Sequence, residues 1–435
     1  MKDDALNDHL QKTEAILNQN PLPLSKGIVT TLVKGLINER SRFLEPDQPH
    51  PSPFYYLDRE ILTNQARRFQ SVFQDHLPKT EFFYAVKSNN HPTVSKTLLQ
   101  EGFGLNVSSG EEVKDALAWG AQRIVFSGPG KTDDELRLAA WNNRSVCVLI
   151  DSFGELERLQ AIAREQKVVV RAGVRLTTTP NGLWRKFGIP LSQLQRFWDH
   201  TRRLPNILFE GLQFHTGWNL TPGAQVSFLM ALGKTLATMP DRFKDRIAFL
   251  DIGGGYWPEE GEWIQPDATP RGRLRIALGE KPDNSLATAH APGTSIATFA
   301  GTLAQALQTH IFPHLDCRVC FEPGRWLVNN AMHLVLSVVD KKEADLVITD
   351  AGTNAIGWER FESDYAPIIN LSRPALSETP CHVLGSLCTP HDVWGYSYWG
   401  SGIEPGDRLL IPNQGAYTYS LRQHFIKKVP PVVVA

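Results

Sequence analysis

The sequence predicts a (β/α)8 barrel of the TIM type, an α/β fold, followed by a C-terminal all-β domain. Eight short apolar runs rich in Val, Ile and Phe alternate with helical stretches, as expected for parallel strands that are covered on both faces. After residue 325 the pattern changes to short β-like runs separated by turn residues. The length of 435 residues exceeds one ordinary core and suits a barrel with a further domain.

The eight apolar runs recur at intervals that leave room for a helix after each strand. They cover 81–87, 104–109, 123–128, 146–151, 168–174, 208–217, 247–255 and 317–325, and the helices between them include 93–101, 110–120 and 132–142. A doubly wound sheet begins with a similar rhythm, but eight units in succession favour a closed barrel. The long insertion 256–293, rich in Trp, Pro and charge, is expected to decorate the barrel rim.

The chain therefore divides into three predicted segments. Residues 1–50 form a helical N-terminal appendage, 51–325 the barrel and 326–435 the β domain. The run PFYYLD at 53–58 precedes the barrel and could belong to either domain. The expected strands of the β domain are HLVLSVVD, ADLVITD, CHVLGS, DRLLIP and VPPVVVA.

The charge balance favours a small-molecule ligand. With 45 basic and 46 acidic side chains, the chain has no field that would attract nucleic acid or a membrane surface. Five cysteines are too few to imply a disulfide framework. The acidic start MKDDALNDHL lacks the pattern of a signal peptide, and no run is long enough for a membrane helix. We expect a soluble cytoplasmic protein with reduced thiols.

Chemically distinctive residues collect where the predicted strands end, which is where barrels of this kind bind ligands. They are Lys87, His215, Gly253, Gly254, Gly255, Glu322, Gly324 and Arg325. Lys87 closes an apolar run whose burial would partly desolvate its amine, making it a candidate nucleophile toward a carbonyl. Taken alone, Lys87 is more simply explained as a snorkelling lysine at a strand end.

A phosphate site is the second candidate. Three consecutive glycines let backbone N–H groups approach an anion, and Arg325 could add a guanidinium fork. A tight turn and a surface ion pair would explain the same residues. The pair Cys317–Cys320 lies inside a predicted strand without a second pair, which disfavours metal or redox chemistry, so no metal site is expected.

In their order and spacing, these motifs resemble the fold-type III pyridoxal-phosphate decarboxylases, the group of diaminopimelate and ornithine decarboxylases. The resemblance runs from about Pro53 to Ser420. Its motifs are FYAVKSN, GLNVSSGEEV, NGLWRKFGI, FHTGW, LDIGGGY, FEPGR, DAGTN, GSLCTPHD and NQGAYT. Each motif is weak alone, but the shared order is specific.

The resemblance implies that Lys87 holds pyridoxal 5'-phosphate as a Schiff base, that His215 stacks on its ring and that Glu322 pairs with the ring nitrogen. The other implied cofactor-binding residues are Arg171, Gly254, Gly255, Gly324, Arg325 and Tyr417. Cys388 would protonate the carbanion left by CO2, in a homodimer with shared active sites. Asp350, Thr389 and Asp392 would face an amino-acid-like substrate.

Three departures from the family pattern bear on the substrate. Trp218 stands where relatives have a serine, Asn106 where an aspartate is usual, and Thr389 where an acidic residue recognises the distal amine of the substrate. Without that acid, neither diaminopimelate nor a simple diamine precursor fits well. The tryptophans of the insertion, with Trp394 and Trp399, suggest a different distal group. The pattern resembles the branch that decarboxylates amino-acid conjugates in siderophore or other secondary-metabolite biosynthesis.

Three alternatives remain open. An amino-acid racemase has a similar fold, but that class places an arginine at the ring nitrogen, where this chain has Glu322. An inactive homologue that only binds partners is compatible with Trp218 and Asn106, although it would have no reason to keep Lys87, Glu322 and Cys388 together. A barrel enzyme of unrelated chemistry would not need the motifs CTPHD and GAYT after residue 325.

Overall fold

A computed structural model describes residues 2–19, 21–45, 51–179, 181–280, 288–357 and 363–435. The α-helices are α1 Lys2–Leu17, α2 Lys26–Asn38, α3 Ser41–Leu44, α4 Arg59–Gln74, α5 Pro92–Gln100, α6 Gly110–Ala118, α7 Asp133–Trp141, α8 Phe153–Glu165, α9 Leu194–Thr201, α10 Gly223–Thr238, α11 Asp241–Lys244, α12 Pro270–Ala277, α13 Ile296–His310 and α14 Arg325–Val328. The strands are β1 Phe54–Leu57, β2 Thr80–Ala85, β3 Gly104–Val107, β4 Ile124–Phe126, β5 Val146–Ile150, β6 Val170–Leu176, β7 Ile207–Phe214, β8 Phe249–Asp251, β9 Glu262–Ile264, β10 Ala289–Ala291, β11 Arg318–Phe321, β12 Met332–Glu343, β13 Leu346–Thr349, β14 Ile369–Asn370, β15 Glu378–Leu384, β16 Val393–Trp399, β17 Arg408–Ile411 and β18 Val432–Val434.

Eight parallel strands close into a barrel, which confirms the predicted fold class. The order is β11-β2-β3-β4-β5-β6-β7-β8, and β11 closes the ring by pairing with both β2 and β8. Each strand overlaps one of the eight predicted apolar runs. The strands therefore present all their carboxyl ends on one face of the barrel, where ligand-binding groups collect.

Helices α6 and α7, which follow strands β3 and β4, each begin at a residue whose side chain caps the first helical turn. Ser109 Oγ accepts a hydrogen bond from the Glu112 N–H at the start of α6, and Thr132 forms a capping box with Glu135 at the start of α7. These short polar side chains bind N–H groups that the first helical turn leaves without partners. The predicted helices 93–101, 110–120 and 132–142 correspond to α5, α6 and α7.

The remaining strands, apart from β9 and β10, form a second, eight-stranded sheet in the order β13-β15-β16-β14-β17-β12-β1-β18. Strand β1 pairs antiparallel with β12 and parallel with β18, so the run PFYYLD belongs to this sheet. The sheet confirms the predicted all-β domain. Strands β14 and β16 were not predicted, because β14 has two residues and β16 mixes Gly and Ser with aromatic side chains.

The chain forms two compact units whose boundaries differ from the predicted ones. The barrel unit comprises 59–259 and 294–329, and the β unit comprises the described residues of 1–58, 260–293 and 330–435. The predicted appendage is part of the β unit, because α2 packs Val29, Val33 and Leu36 into the same core as Phe54 and Leu410.

The described residues of 260–293 in the insertion also belong to the β unit, whereas 256–259 belong to the barrel unit. Strands β9 and β10 form a two-stranded antiparallel sheet, and the Leu24 N–H donates to Thr288 O at 2.8 Å. In the described part of the chain, no helix has the length and apolar character needed to cross a bilayer.

Candidate active site

Lys87 lies on a short 3-10 turn, Val86–Ser88, that follows β2 at the carboxyl end of the barrel. The Ala85 N–H donates to Pro323 O at 3.1 Å, which ties this turn to the segment that follows β11. The Lys87 side chain is exposed, so the partial burial expected from the preceding apolar run is wrong. The strand ends two residues before Lys87, and the apolar side chains of β2 do not enclose its amine.

Glu322 follows β11 directly and is the central buried carboxylate of this end of the barrel, with 5% of its surface exposed. Asn106 Nδ2 donates to Glu322 Oε1 at 2.6 Å, and Gln213 Nε2 lies 3.4 Å from Oε2. Burial raises the pKa of Glu322, and the charges of Lys87 and Arg175 oppose that rise. The carboxylate is thus held between two neutral donors and faces two cations.

Asp251, at the end of β8, is a fully buried neighbour of Glu322. Its Oδ1 accepts a hydrogen bond from the Gly253 N–H at 2.8 Å. Burial raises the pKa of Asp251, and the nearby Glu322 carboxylate raises it further. Ionisation of one carboxyl group disfavours ionisation of the other, and Asp251 has the more strongly raised pKa of the two.

The three glycines after β8 form a close backbone cradle. A Cβ on Gly254 would lie 2.1 Å from Glu322 O, and one on Gly255 would lie 2.2 Å from Thr216 O. Gly253 and Gly255 also have φ of +69° and +82°, which side chains rarely tolerate. Only glycine lets this segment pass between the ends of β7 and β11. The glycines are therefore required for the close packing of the ends of β7, β8 and β11.

His215 follows β7, and its ring lies beside the cradle. Its Nδ1 accepts a hydrogen bond from the Gly254 N–H at 3.1 Å, so a neutral ring carries its proton on Nε2. Burial lowers the pKa of His215 well below the usual value, and the charges of Lys87 and Arg175 lower it further. A neutral, fixed imidazole suits stacking against a planar ring.

Arg171 does not belong to this end of the barrel, so its predicted place near the cofactor ring is wrong. It lies at the amino end of β6, and its Nε is 2.7 Å from Glu210 Oε1. Arg175, four residues later at the carboxyl end of β6, is buried and interacts electrostatically with Asp151 and Glu322. The predicted strand ended at residue 174, whereas β6 continues to Leu176, so Arg175 was not recognised as a residue at the carboxyl end of the strand.

Sequence reasoning also missed Gln213 and Asp251. Gln213 precedes His215 by two residues and therefore shares its strand face, which is a signal that strand alternation provides. Asp251 lies in the motif LDIGGGY, but the sequence pattern alone does not indicate its role.

Gly324 lies against Ser88, since a Cβ there would come within 1.9 Å of Ser88 Oγ. Arg325 stacks its guanidinium over Trp257, with Cζ 4.3 Å from the ring centre.

In the β unit, Cys388 is an exposed thiol on the loop between β15 and β16. Asp392 braces this loop, because the Leu387 N–H donates to its Oδ2 at 2.6 Å and the Thr353 N–H donates to its Oδ1 at 2.7 Å. Asp392 is 3% exposed, so its predicted contact with substrate is replaced by a role in holding the loop. Thr389 is half-buried beside Cys388.

Asp350 and Tyr417 occupy other loops of the β unit. Asp350 is half-buried and accepts hydrogen bonds from the Ser337 N–H at 2.9 Å and from Ser52 Oγ at 2.5 Å; its contact with substrate stays a prediction. Tyr417 is half-buried and has a φ of +59°. A non-glycine residue in this conformation is uncommon and is often part of a functional loop.

Trp394 and Trp399 do not form a recognition surface, so the expectation that they read the distal group of the substrate is wrong. Both are largely buried in β16. Trp394 Nε1 donates to Thr349 Oγ1 at 3.0 Å, and Trp399 packs in the core of the β unit with Val335 and Leu410. Non-local sheet pairing buries these rings, and the sequence carries no direct signal of that pairing.

The close approach at Gly254 gives a first testable expectation. Gly254→Ala would force Glu322 O and its strand apart, so we expect the free energy of unfolding to fall by about 1–3 kcal/mol. Urea unfolding of the cofactor-free protein measures this change. Gly154→Ala in α8, where the nearest atom would be Ser152 Oγ at 3.9 Å, is the control and should change stability little. Equal effects of the two substitutions would contradict the close packing of the cradle.

The amide of Asn106 gives a second expectation, which concerns pH. Asn106→Asp would place a new carboxyl beside Glu322 Oε1, where Asn106 Nδ2 now lies at 2.6 Å. The folded protein would then retain a proton that the unfolded chain loses, so stability should fall as the pH rises above the unfolded-state pKa of aspartate, about 3.9. We expect a loss of about 1–3 kcal/mol at neutral pH.

Urea unfolding of the cofactor-free Asn106→Asp variant at about pH 5 and about pH 8 tests this sign, since the loss should be greater at the higher pH. Asn143→Asp, at a half-buried turn position after α7, is the matched control. A loss that stays constant across this range would mean that the new carboxyl does not interact with Glu322.

The barrel brings a lysine, a buried carboxylate and a close-packed glycine turn to one end, as in barrel enzymes that bind their ligands there. The family model described as "Pyridoxal-dependent decarboxylase, pyridoxal binding domain" matches residues 62–329. The chain belongs to this family of pyridoxal-dependent decarboxylases. Its cofactor is pyridoxal 5'-phosphate, and its reaction is the decarboxylation of an amino-acid substrate.

Individual relatives are distant but span nearly the whole chain. The chain is 25% identical to the decarboxylase of L-glutamyl-BtrI acyl-carrier protein from Niallia circulans, over 88% of each protein. It is 27% identical to a diaminopimelate decarboxylase of Vibrio cholerae, over 86% of this chain and 85% of that one. The crystal structure of diaminopimelate decarboxylase from M. jannaschii has a TM-score of 0.74 at 21% identity, covering 88% and 87%, and shares the fold.

The residues at the carboxyl end of the barrel fit this cofactor. A protonated pyridine nitrogen would satisfy the buried Glu322 carboxylate, which Asn106 and Gln213 hold in place. Gly254 and Gly255 carry no side chains, so a phosphate would approach the backbone of this turn directly.

Proposed function

We propose that the chain decarboxylates an amino-acid conjugate, with the cofactor attached covalently to Lys87. The observation that carries the proposal is the presence of Lys87, the cradle and the buried Glu322 at the same end of one barrel. Lys87 is exposed, so its amine can reach the cofactor carbonyl. When bound, pyridoxal phosphate supplies an electron sink for the pair of electrons left by CO2.

The protein's own groups prepare that sink. Glu322 would hold a proton on the ring nitrogen, and Asn106 and Gln213 orient its carboxylate at 2.6 and 3.4 Å. The more strongly raised pKa of Asp251 favours Glu322 as the negatively charged member of this pair. Arg175 adds a nearby positive charge that favours the ionised form of Glu322. Together these groups favour the charge distribution that loss of CO2 requires.

Binding and orientation fall to the residues around the ring. The neutral imidazole of His215 would stack on one face of the ring, and Gly254, Gly255, Gly324, Arg325 and Tyr417 would bind the phosphate. The hydrogen bond from the Gly254 N–H to His215 Nδ1 couples the position of the imidazole to that of the cradle. A residue that fixes both ends of the cofactor limits the orientations in which substrate can react.

Proton delivery is assigned to Cys388. Its thiol is exposed, and Asp392 fixes the loop through the Leu387 N–H at 2.6 Å, so the thiol sits on a rigid support. We propose a homodimer with shared active sites, in which Cys388 of one protomer serves the barrel of its partner. Exposed apolar side chains on the barrel unit, such as Leu183 and Trp218, support such an interface. A cytoplasmic location would keep this thiol reduced.

Cys388→Ala tests this assignment. We expect the variant to bind the cofactor normally and to form product about 10²–10⁴-fold more slowly, because a positioned general acid contributes that much. Rapid-mixing kinetics with a mass-spectrometric product assay would measure the loss. Cys381→Ala, which removes a buried thiol of β15, is the control. Unchanged rate and product in Cys388→Ala would remove Cys388 from the mechanism.

The substrate's distal group is proposed to be neutral or linked to a carrier. Thr389, half-buried beside Cys388, has no charge with which to bind a distal amine. The Niallia circulans relative acts on an amino acid joined to a carrier protein, which supports a conjugated substrate. We therefore propose an amino-acid conjugate of siderophore or other secondary-metabolite biosynthesis.

A product screen in deuterated water tests the function. Cofactor-loaded protein is offered free amino acids of both configurations, then citryl- and other acyl-linked amino acids, and the products are weighed by mass spectrometry. A conjugate that loses CO2 and gains one deuterium would support the proposal. Turnover of free amino acids alone would overturn the conjugate assignment, and deuterium uptake with the carboxyl group retained would indicate a racemase.

A further inference from the structure

The barrel contains a cavity at the amino ends of its strands. Its volume is about 230 Å³, and its lining includes Glu81, Arg123, Arg171, Phe249 and Arg318. Arg318 begins β11 and Glu322 follows its other end, so the cavity lies about 13 Å from the cofactor site along that strand. None of the proposed catalytic steps uses these residues.

The floor of this cavity is apolar and rigid. Phe83, Val125, Cys147, Phe249 and Cys320 belong to one buried cluster. The ring of Phe249 lies over Gly211, where a Cβ would come within 2.0 Å of its Cζ, so glycine makes room for the ring. Burial raises the pKa of the Cys147 thiol to about 12 and that of Cys320 well above its ordinary value, so both thiols stay neutral. The floor therefore offers only apolar contacts.

The rim carries more positive than negative charge. Arg171 pairs with Glu210 at 2.7 Å, whereas Glu81 is shared, at 3.4 Å from Arg318 Nε and 3.9 Å from Arg123 Nη1. Three guanidinium groups thus face two carboxylates, which leaves one positive charge without a matching anion. Among the described residues, the buried Arg318 Nε makes no well-aligned hydrogen bond, although it lies 3.4 Å from Glu81 Oε2. A buried donor of this kind costs free energy unless a ligand supplies the acceptor.

We propose that this cavity binds a small organic monoanion, a carboxylate with a short apolar or aromatic body. The carboxylate oxygens accept hydrogen bonds from Arg318 and its neighbouring guanidinium groups, whose planar forks match a carboxylate. The apolar body rests on the floor around Phe83 and Phe249. An apolar cavity of about 150 Å³ is large enough to bind benzene. The cavity at the amino ends of the strands, at about 230 Å³, therefore accommodates a single ring with its carboxylate.

Isothermal titration calorimetry of the cofactor-loaded protein with benzoate tests the site, with neutral benzamide as the matched ligand. We expect saturable binding of benzoate and affinity about tenfold lower or weaker still for benzamide, because benzamide lacks the charge that strengthens the hydrogen bonds. Arg318→Gln should weaken benzoate by a similar factor. Arg144→Gln, an exposed arginine that precedes β5, should leave it unchanged.

Circular dichroism establishes that Arg318→Gln is folded, and Arg123→Gln is the second variant if it is not. Three results would each overturn the proposal: no saturable benzoate binding to the wild-type protein, equal affinities for benzoate and benzamide, or undiminished benzoate affinity in the folded arginine variant. The last of these would place the bound benzoate elsewhere, such as at the carboxyl end of the barrel.

Discussion

Lys87→Ala should lower product formation by about a thousandfold or more, because it removes the amine that we propose would hold the cofactor carbonyl. The visible absorption band of the covalently attached cofactor should be lost at the same time. The side chain is exposed on a turn beyond β2, so its removal leaves no cavity in the barrel. The variant should therefore remain folded.

The matched control for this lysine is Lys96→Ala. Lys96 is an exposed lysine on α5, the helix that follows Lys87 along the chain. Both absorption and turnover should survive that substitution. A Lys87→Ala protein that retained the visible band would show that another amine carries the cofactor, and the role of Lys87 would have to be withdrawn.

Glu322→Gln should have the second-largest effect, a loss of about 10²–10³ in turnover with the cofactor still attached. The change keeps the shape of the side chain and removes the negative charge that would hold a proton on the ring nitrogen. Gln213 Nε2 now lies 3.4 Å from the acceptor Glu322 Oε2, and the new amide could present a donor N–H group at that position instead. The electron sink is weakened, while the glycine cradle is unchanged.

Absorption spectra and steady-state rates of Glu322→Gln would be compared with those of Glu111→Gln, an exposed position in the first turn of α6. Retained cofactor together with slow turnover is the expected result. If turnover were unaffected, Glu322 would not control the ring nitrogen, and the argument from its burial and from its donors Asn106 and Gln213 would fail.

The barrel was predictable because each of its strands lies within a run rich in apolar residues. Phe82, Phe83 and Tyr84 of β2 are all buried, and so are Val148 and Leu149 of β5. Strands covered on both faces need no alternation, and their apolar runs stand out from the amphipathic helices between them. The positions of Lys87, His215 and Glu322 followed from the ends of those runs.

The wrong predictions concern features that depend on contacts between residues far apart in the sequence. The described residues of 260–293 and the N-terminal helix α2 belong to the β unit through contacts such as Val33 with the sheet core. Trp394 and Trp399 are buried by strand pairing that their local sequence does not reveal. The resemblance implied Arg171 as a cofactor-binding residue, but β6 places Arg171 near its amino end and Arg175 near its carboxyl end, where ligands bind.

Borohydride reduction of the cofactor-loaded protein, followed by peptide mass spectrometry, is the most direct test of whether Lys87 carries the cofactor. Reduction fixes the cofactor on whichever amine holds it, independently of any choice of substrate. We expect a phosphopyridoxyl mass on the peptide that contains Lys87 and on no other lysine-containing peptide. An unmodified Lys87 in protein that binds the cofactor, or a modification at a different lysine, would contradict it.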